Sequence, residues 1–357
     1  MSHKRLLIPG PTESPIENLQ QQAKWLIGHR SSEYTALYTG IIDKLGKYFE
    51  TKMNRTVHTA SGTIWMDMTA RNLVKERALA GVCGAFSDRM YKTIQDAGKQ
   101  VDPLKVELGK AIKPDMVMDA LAKKKYDTVA IVHNETATGV RNPIEDIGKA
   151  IKKEYPDIMF VVDTVSSAGG DYLVPEKLHA DLMFTSTQKC FALPPGLSIA
   201  FYSDAAVERA RSVPGRGHYT DLIALHDYYQ KKQQNPTTPN VSLMYALDYQ
   251  LDRMLKEGSK ARYERHLAMA ELTRKWAAKK MRMFPEHGYE SVTVSTVANT
   301  LGKDIGALNK ELGKRGYQIA NGYGDLKEKT FRIGHMGEWT VPEIKGLLWH
   351  IDDIWGE

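Results

Sequence analysis

Only two cysteines, Cys83 and Cys190, occur in 357 residues, too few for a disulfide framework. Such a chain is expected in a reducing, cytoplasmic compartment. No apolar run approaches the roughly 20 residues needed to span a bilayer. The opening MSHKRLLIPGPTESP has too short an apolar stretch for a secretory signal, and the closing IWGE matches no retention or lipidation signal. There is no internal repeat, no low-complexity tract and no arginine-rich arm; the longest basic run is Lys123-Lys124-Lys125. Lys+Arg 49 against Asp+Glu 43 leaves a net charge of +6, and the two signs are interleaved, as in KKEYPD. Neither a nucleic-acid surface nor a membrane surface is indicated. A modest surplus of this kind suits an enzyme with anionic substrates. The 42% hydrophobic and 26% charged fractions are those of an ordinary globular protein.

What is present is alternation. Candidate strands are Thr56–Thr59, Gly81–Phe86, Thr128–His133, Ile158–Asp163, Leu182–Thr185 and Leu197–Tyr202. Helical patterns lie between them at Trp65–Leu79, Ser87–Gly98, Lys113–Lys124 and Ile144–Glu154. Near-continuous apolar strands such as IMFVVD, spaced by helices, imply a mostly parallel sheet covered on both faces, a doubly wound α/β layout. Beyond Tyr202 a polar stretch, Glu208–Asn240, precedes a helix-rich segment, Val241–Lys280, and then a smaller α+β unit. The expected organisation is an N-terminal arm over 1–17, a large domain over 18–258 and a small domain over 259–357.

Ligands in α/β sheets gather at the carboxyl ends of parallel strands, so the residues following each strand carry the chemical information. After Thr56–Thr59 comes Ala60-Ser61-Gly62-Thr63, opening a helix: either a phosphate cradle of backbone N–H groups or an ordinary helix start. Phe86 closes the next strand and either stacks on a flat ligand or packs in the core. His133-Asn134-Glu135-Thr136-Ala137-Thr138-Gly139 holds more hydrogen-bonding side chains than a turn requires and reads as a polar site wall. Asp163 ends a buried strand and needs a cationic or hydrogen-bonding partner, as a cap or against a protonated ring nitrogen. Lys189, close behind Leu182–Thr185, is either solvated or a desolvated amine freed to act as a nucleophile. Taken together these are the parts required to hold pyridoxal phosphate.

The stretches IPGPT (8–12), GHRSSEY (28–34), ASGT (60–63), HNETATG (133–139), DTVSSAGG (163–170), STQKC (186–190), LPPGLS (193–198), TPN (238–240) and FRIGHMG (331–337) span nearly the whole chain. In order and content the sequence resembles the class V aminotransferases of the fold-type I pyridoxal-phosphate enzymes, in particular the alanine–glyoxylate and serine–pyruvate group. The resemblance implies a large domain with a mostly parallel seven-stranded sheet, a smaller C-terminal α+β domain and a homodimer with its site at the subunit interface. It implies that Lys189 forms the internal aldimine with pyridoxal 5′-phosphate and that Asp163 pairs with the pyridine nitrogen. Val165 would lie under the ring, Phe86 over it, and Thr136 near its hydroxyl. Ser61, Gly62, Thr63 and Gln188, with Thr238 from the partner, would hold the phosphate. Arg332 would grip the substrate carboxylate, Gly10 would line the substrate side, and no metal is expected. Two positions depart from relatives: Phe86 stands where Trp is common, and Asn235 where a tyrosine phosphate ligand is found.

The activity implied is ping-pong transfer of an amino group from serine or alanine to pyruvate or glyoxylate. His29 and Arg30 also suggest contact with the substrate, since a His-Arg pair binds the phosphate in phosphoserine aminotransferases. Phosphoserine is therefore the second reading, although the further pair expected of those enzymes is missing from Gly322–Lys327. A catalytically silent binding or regulatory relative is a third, and intact Lys189, Asp163 and Arg332 argue against it. His335 either lines the substrate pocket or packs. Cys190 is expected to be a small buried hydrophobe rather than a desulfurase nucleophile. Met244, Tyr245 and Tyr249 are expected to pack an interface.

Overall fold

The computed structural model describes residues 3–356; Met1, Ser2 and Glu357, the outermost ends of the expected arm and small domain, lie outside them. The described strands, in chain order, begin with β1 (Arg5–Leu7), β2 (Asn54–His58), β3 (Arg77–Val82), β4 (Gln100–Lys105) and β5 (Thr128–Val132). A short hairpin follows, β6 (Asn134–Glu135) and β7 (Val140–Arg141), and then β8 (Met159–Asp163), β9 (Leu182–Ser186) and β10 (Ser198–Tyr202). The last are β11 (Arg282–Met283), β12 (Val294–Ala298), β13 (Tyr317–Asn321) and β14 (Thr330–Gly334).

Seven strands form one sheet in the order β2-β10-β9-β8-β5-β3-β4, and β10 runs antiparallel to both neighbours. Each central strand is buried throughout and divides its side chains between two cores. Phe160 and Val162 of β8 enter the cluster of Ile41, Leu45 and Leu247, whereas Met159 and Val161 enter that of Trp65, Phe184 and Leu222. That two-sided burial is why the strands read as unbroken apolar runs, and it makes the mixed α/β class plain. A second sheet, β1-β13-β14-β12-β11, has its own core around Phe331, Ile333 and Leu347. Its edge strand β1 comes from the start of the chain and pairs in parallel with β13, Arg5 opposite Tyr317.

Two segments differ from the sequence expectation. The helix expected over Trp65–Leu79 ends at Asn72, and Arg77–Val82 is strand β3. Asn72 ends it through its side chain, which donates to the carbonyls of Met68 and Thr220. Strand β3 stops at Val82, and Phe86 stands in the first turn of a helix, Ala85–Asp96, rather than at a strand end. Strand β4 went unread because it carries Pro103 and is only partly buried; as an edge strand it tolerates a residue without an N–H.

Candidate active site

The ends of five large-sheet strands, β2, β3, β5, β8 and β9, converge on one cavity of about 250 Å³, lined among others by Ser61, Gly62, Thr63, Phe86, Thr136 and Asp163. Val165, Gln188, Lys189 and Gly10 complete its candidate residues. Ser61-Gly62 precedes the helix Thr63–Asn72; the Ile64 and Trp65 N–H groups donate to the carbonyls of Ser61 and Gly62, both at 3.1 Å, while those of Gly62 and Thr63 have no protein partner among the described residues. Gly62 is required by space: a Cβ there would stand 2.7 Å from Val165 Cγ2.

Asp163, at the end of β8, is 3% exposed and accepts one hydrogen bond, 2.8 Å from the Val165 N–H. Burial pushes its carboxyl up to about 7, with the Glu135 charge adding to the rise and Lys189 and Arg89 opposing it. Lys189 is 8% exposed, in a loop fixed by Ala192 N–H to Lys189 O at 2.9 Å and Thr187 Oγ1 to Pro194 O at 3.0 Å. Its amine donates to the Pro9 carbonyl, and burial pulls its pKa down to about 8. Gly10 backs it so closely that a Cβ there would lie 2.7 Å from Nζ, and its φ of +122° is in the region that favours glycine. A buried acid with one hydrogen bond, a buried amine without a carboxylate at contact, and a glycine cradle at a helix N-terminus fit an anionic phosphate joined to a cationic aromatic ring.

A second cavity of about 610 Å³ shares Gly10, Phe86, Thr136 and Lys189 with the first and extends over the second sheet. Arg332, on β14, projects into it, 8% exposed. Its Nε donates to the Asn321 carbonyl at 3.1 Å and one Nη to the Thr136 carbonyl at 3.3 Å, which aims the guanidinium while leaving its other Nη free of protein hydrogen bonds among the described residues. Burial lowers its pKa, and Tyr323 packs with its ring centroid 5.5 Å from the guanidinium carbon. No acidic side chain among the described residues lines this cavity, and Lys4 and Lys310 are among its lining residues.

Three candidates lie elsewhere. His29, Arg30 and Thr238 line neither cavity of their own chain. His29 Nε2 is 3.5 Å from Thr238 Oγ1, and Arg30 donates to the carbonyls of Asn235, at 2.5 Å, and Pro236, at 2.6 Å. Asn235 is buried and accepts from the Tyr34 hydroxyl at 2.6 Å, a packing role. His335 is buried against Ser295 Oγ at 2.9 Å, and burial pushes it down to about 3. Cys83 and Cys190 are buried, and burial pushes each thiol up to about 12, so neither is a thiolate at neutral pH.

The sequence reading gave no particular role to Arg89, Tyr323 or Glu135. Arg89 lines the smaller cavity one helical turn after Phe86, its guanidinium carbon 4.9 Å from that ring. The i, i+3 spacing would have exposed it had the helix been started at Ala85.

The model of the family described as Aminotransferase class-V matches residues 17–306. An uncharacterized aminotransferase of Methanocaldococcus jannaschii is 40% identical over 97% of this chain and 91% of its own length. The serine–glyoxylate aminotransferase of Methylorubrum extorquens is 31% identical over 96% of this chain and 89% of its own. The solved alanine–glyoxylate aminotransferase from Nostoc sp. superposes with a TM-score of 0.93 at 25% identity, covering 99% of this chain and 96% of that one. With the family match spanning most of the chain and the same fold carrying it, the protein belongs to the class V aminotransferases and is a transaminase whose cofactor is pyridoxal phosphate.

Proposed function

We propose that the protein moves the amino group of serine or alanine to pyruvate or glyoxylate, one half-reaction at a time, in a single site. Bound pyridoxal phosphate supplies an aldehyde to which amines add and a ring that accepts an electron pair from the substrate Cα. The Gly62 and Thr63 N–H groups at the start of the helix Thr63–Asn72, with Ser61 and Gln188, would hold the phosphate. Asp163 keeps a proton on the ring nitrogen, and gaining that cationic partner draws its own carboxyl back to the ionised state. Phe86 and Val165 would flank the ring, and the Thr136 hydroxyl, 2.5 Å from Ser166 Oγ, would serve the ring hydroxyl. Lys189 Nζ takes the substrate α-proton and returns it on the other side of the exchange; burial keeps a useful fraction of the amine neutral near pH 8. Gly10 leaves room for that motion.

Arg332 carries the transamination in this reading, the part shared by all α-amino acids. Its planar fork is aimed by two backbone carbonyls into a cavity that also holds Lys189, as recognition of an α-carboxylate beside a reacting amine requires. Thr238, His29 and Arg30 act in the site of a second copy of this chain, supported by their lying together outside their own cavities and by the exposed Trp25 and Leu26 nearby in sequence. The free buried cysteines fit a cytoplasmic setting. Phosphoserine is a second reading, favoured by Lys4 and Lys310 among the residues lining the substrate cavity. The test is to add serine, alanine, aspartate, glutamate or phosphoserine singly to the purified holoenzyme and follow loss of the visible cofactor band. Fastest bleaching by serine or alanine supports the first reading; a clear preference for phosphoserine overturns it.

A further inference from the structure

Glu135 is completely buried, and no cation forms an ion pair with it among the described residues. Its carboxylate accepts from the backbone N–H of Phe86, at 3.1 and 3.2 Å, and of Ser87, at 2.8 Å. It also accepts from Ser87 Oγ at 2.7 Å and from the Ala137 N–H at 3.0 Å. The helix it caps, Ala85–Asp96, has Gly84 at the position where a capping side chain normally stands. A Cβ on Gly84 would lie 2.5 Å from Glu135 Cγ, so the local cap is absent where the remote one enters. A buried charge is a costly way to satisfy three N–H groups that a serine at 84 would serve in part. What the remote carboxylate adds is a tie between two segments. Its helix presents Phe86 and, one turn on, Arg89 to the smaller cavity; its own loop presents Thr136.

We propose that Glu135 is a positioning residue of the cofactor site: by capping the helix Ala85–Asp96 from the loop that carries Thr136, it fixes the Phe86 ring at a set height above Val165. The inference rests on the smaller cavity being the cofactor site. A flat ring is held firmly only where both faces meet atoms at contact distance, and a helix free to shift by half an ångström loses much of that contact. The N–H dipoles of the helix favour the carboxylate, and an amide in its place would turn an NH₂ toward donors.

The experiment compares Glu135→Gln and Glu135→Asp with the wild type, starting from cofactor-free protein. Three quantities are read: the melting temperature before cofactor is added, the dissociation constant for pyridoxal phosphate, and the visible circular dichroism of the bound cofactor. In E135Q, the dissociation constant should rise at least tenfold and the visible dichroism per bound cofactor should fall by half or more, with E135D recovering part of both. The same titration with pyridoxal, which lacks the phosphate, should show a similar fold loss, because the wall and not the phosphate cradle is disturbed. A lowered melting temperature with unchanged dissociation constant and dichroism overturns the proposal and leaves Glu135 as a helix cap. Should E135Q not fold, Ser87→Ala removes one of the bonds and should raise the dissociation constant about threefold; no change there overturns the proposal. A wild-type protein that gives no visible band with pyridoxal phosphate would instead remove the reading of the cavity itself.

Discussion

Two aspartates eight residues apart, Asp163 and Asp171, are both buried, and burial raises the pKa of both. Asp171 is answered by the fold: Arg141 donates to both its oxygens, at 2.7 and 3.2 Å, and the Tyr172 N–H adds a bond at 2.9 Å. Among the described residues Asp163 has one backbone N–H and no guanidinium or ammonium at contact. The first belongs to the architecture, tying the β7 hairpin to the turn after β8; the second, on the function proposed above, is half of an interaction whose other half arrives with the cofactor. Burial alone therefore does not mark a functional carboxylate. The shortfall of partners does.

Ways of breaking this contrast run from large effects to small. Lys189→Ala should lower turnover by about 10⁴-fold in steady-state assays while the protein still folds, because the proton carrier at Cα is gone. Asp163→Asn should lower turnover by about 10²- to 10³-fold yet stabilise the cofactor-free protein at pH 8. The carboxyl of Asp163 titrates near 7 when folded and near 4 when unfolded, so stability of the cofactor-free wild type falls as pH rises from about 4 to 7 and then levels. The asparagine variant should lack that slope, which urea unfolding at pH 5 and pH 8 would show, with a gain of up to about 4 kcal/mol at the higher pH. Asp171→Asn should do the reverse, losing about 2 kcal/mol because Arg141 is left without its partner, with little change in cofactor binding. Arg332→Gln should lower kcat/KM for every α-amino acid by about 10²-fold, mainly through KM. The smallest effect is expected from Lys4→Met with Lys310→Met, which should lower kcat/KM for substrates with a second anion by about threefold relative to alanine.

The large sheet was readable because its central strands are buried on both faces, and a run such as IMFVVD admits few other interpretations. Asp163 stands out in the sequence for the same reason, as a polar residue at the end of such a run, and Lys189 as an amine three residues beyond another. Phe86 was placed one element too early, since Cys83-Gly84-Ala85 continues an apolar run and nothing local says that β3 has ended. Glu135 was visible as part of HNETATG, but its partners are 48 and 49 residues away and no spacing rule joins them. His29, Arg30 and Thr238 are brought together by the fold, although they are more than 200 residues apart.

The strand Arg5–Leu7 sets an order of events. It is made about 310 residues before its sheet partners, Tyr317–Ile319, and the Trp339 indole N–H donates to its Leu6 carbonyl at 3.3 Å. Pro9 and Gly10, which hold and back Lys189, continue directly from that strand. At roughly 5–20 residues per second of synthesis, tens of seconds separate the emergence of the strand from that of its partners. During that interval the strands of the large sheet are all present, while the seat of Lys189 is not complete. A nascent or truncated chain can therefore be well folded over most of its length and still inert, and activity becomes a report that the last strands have arrived.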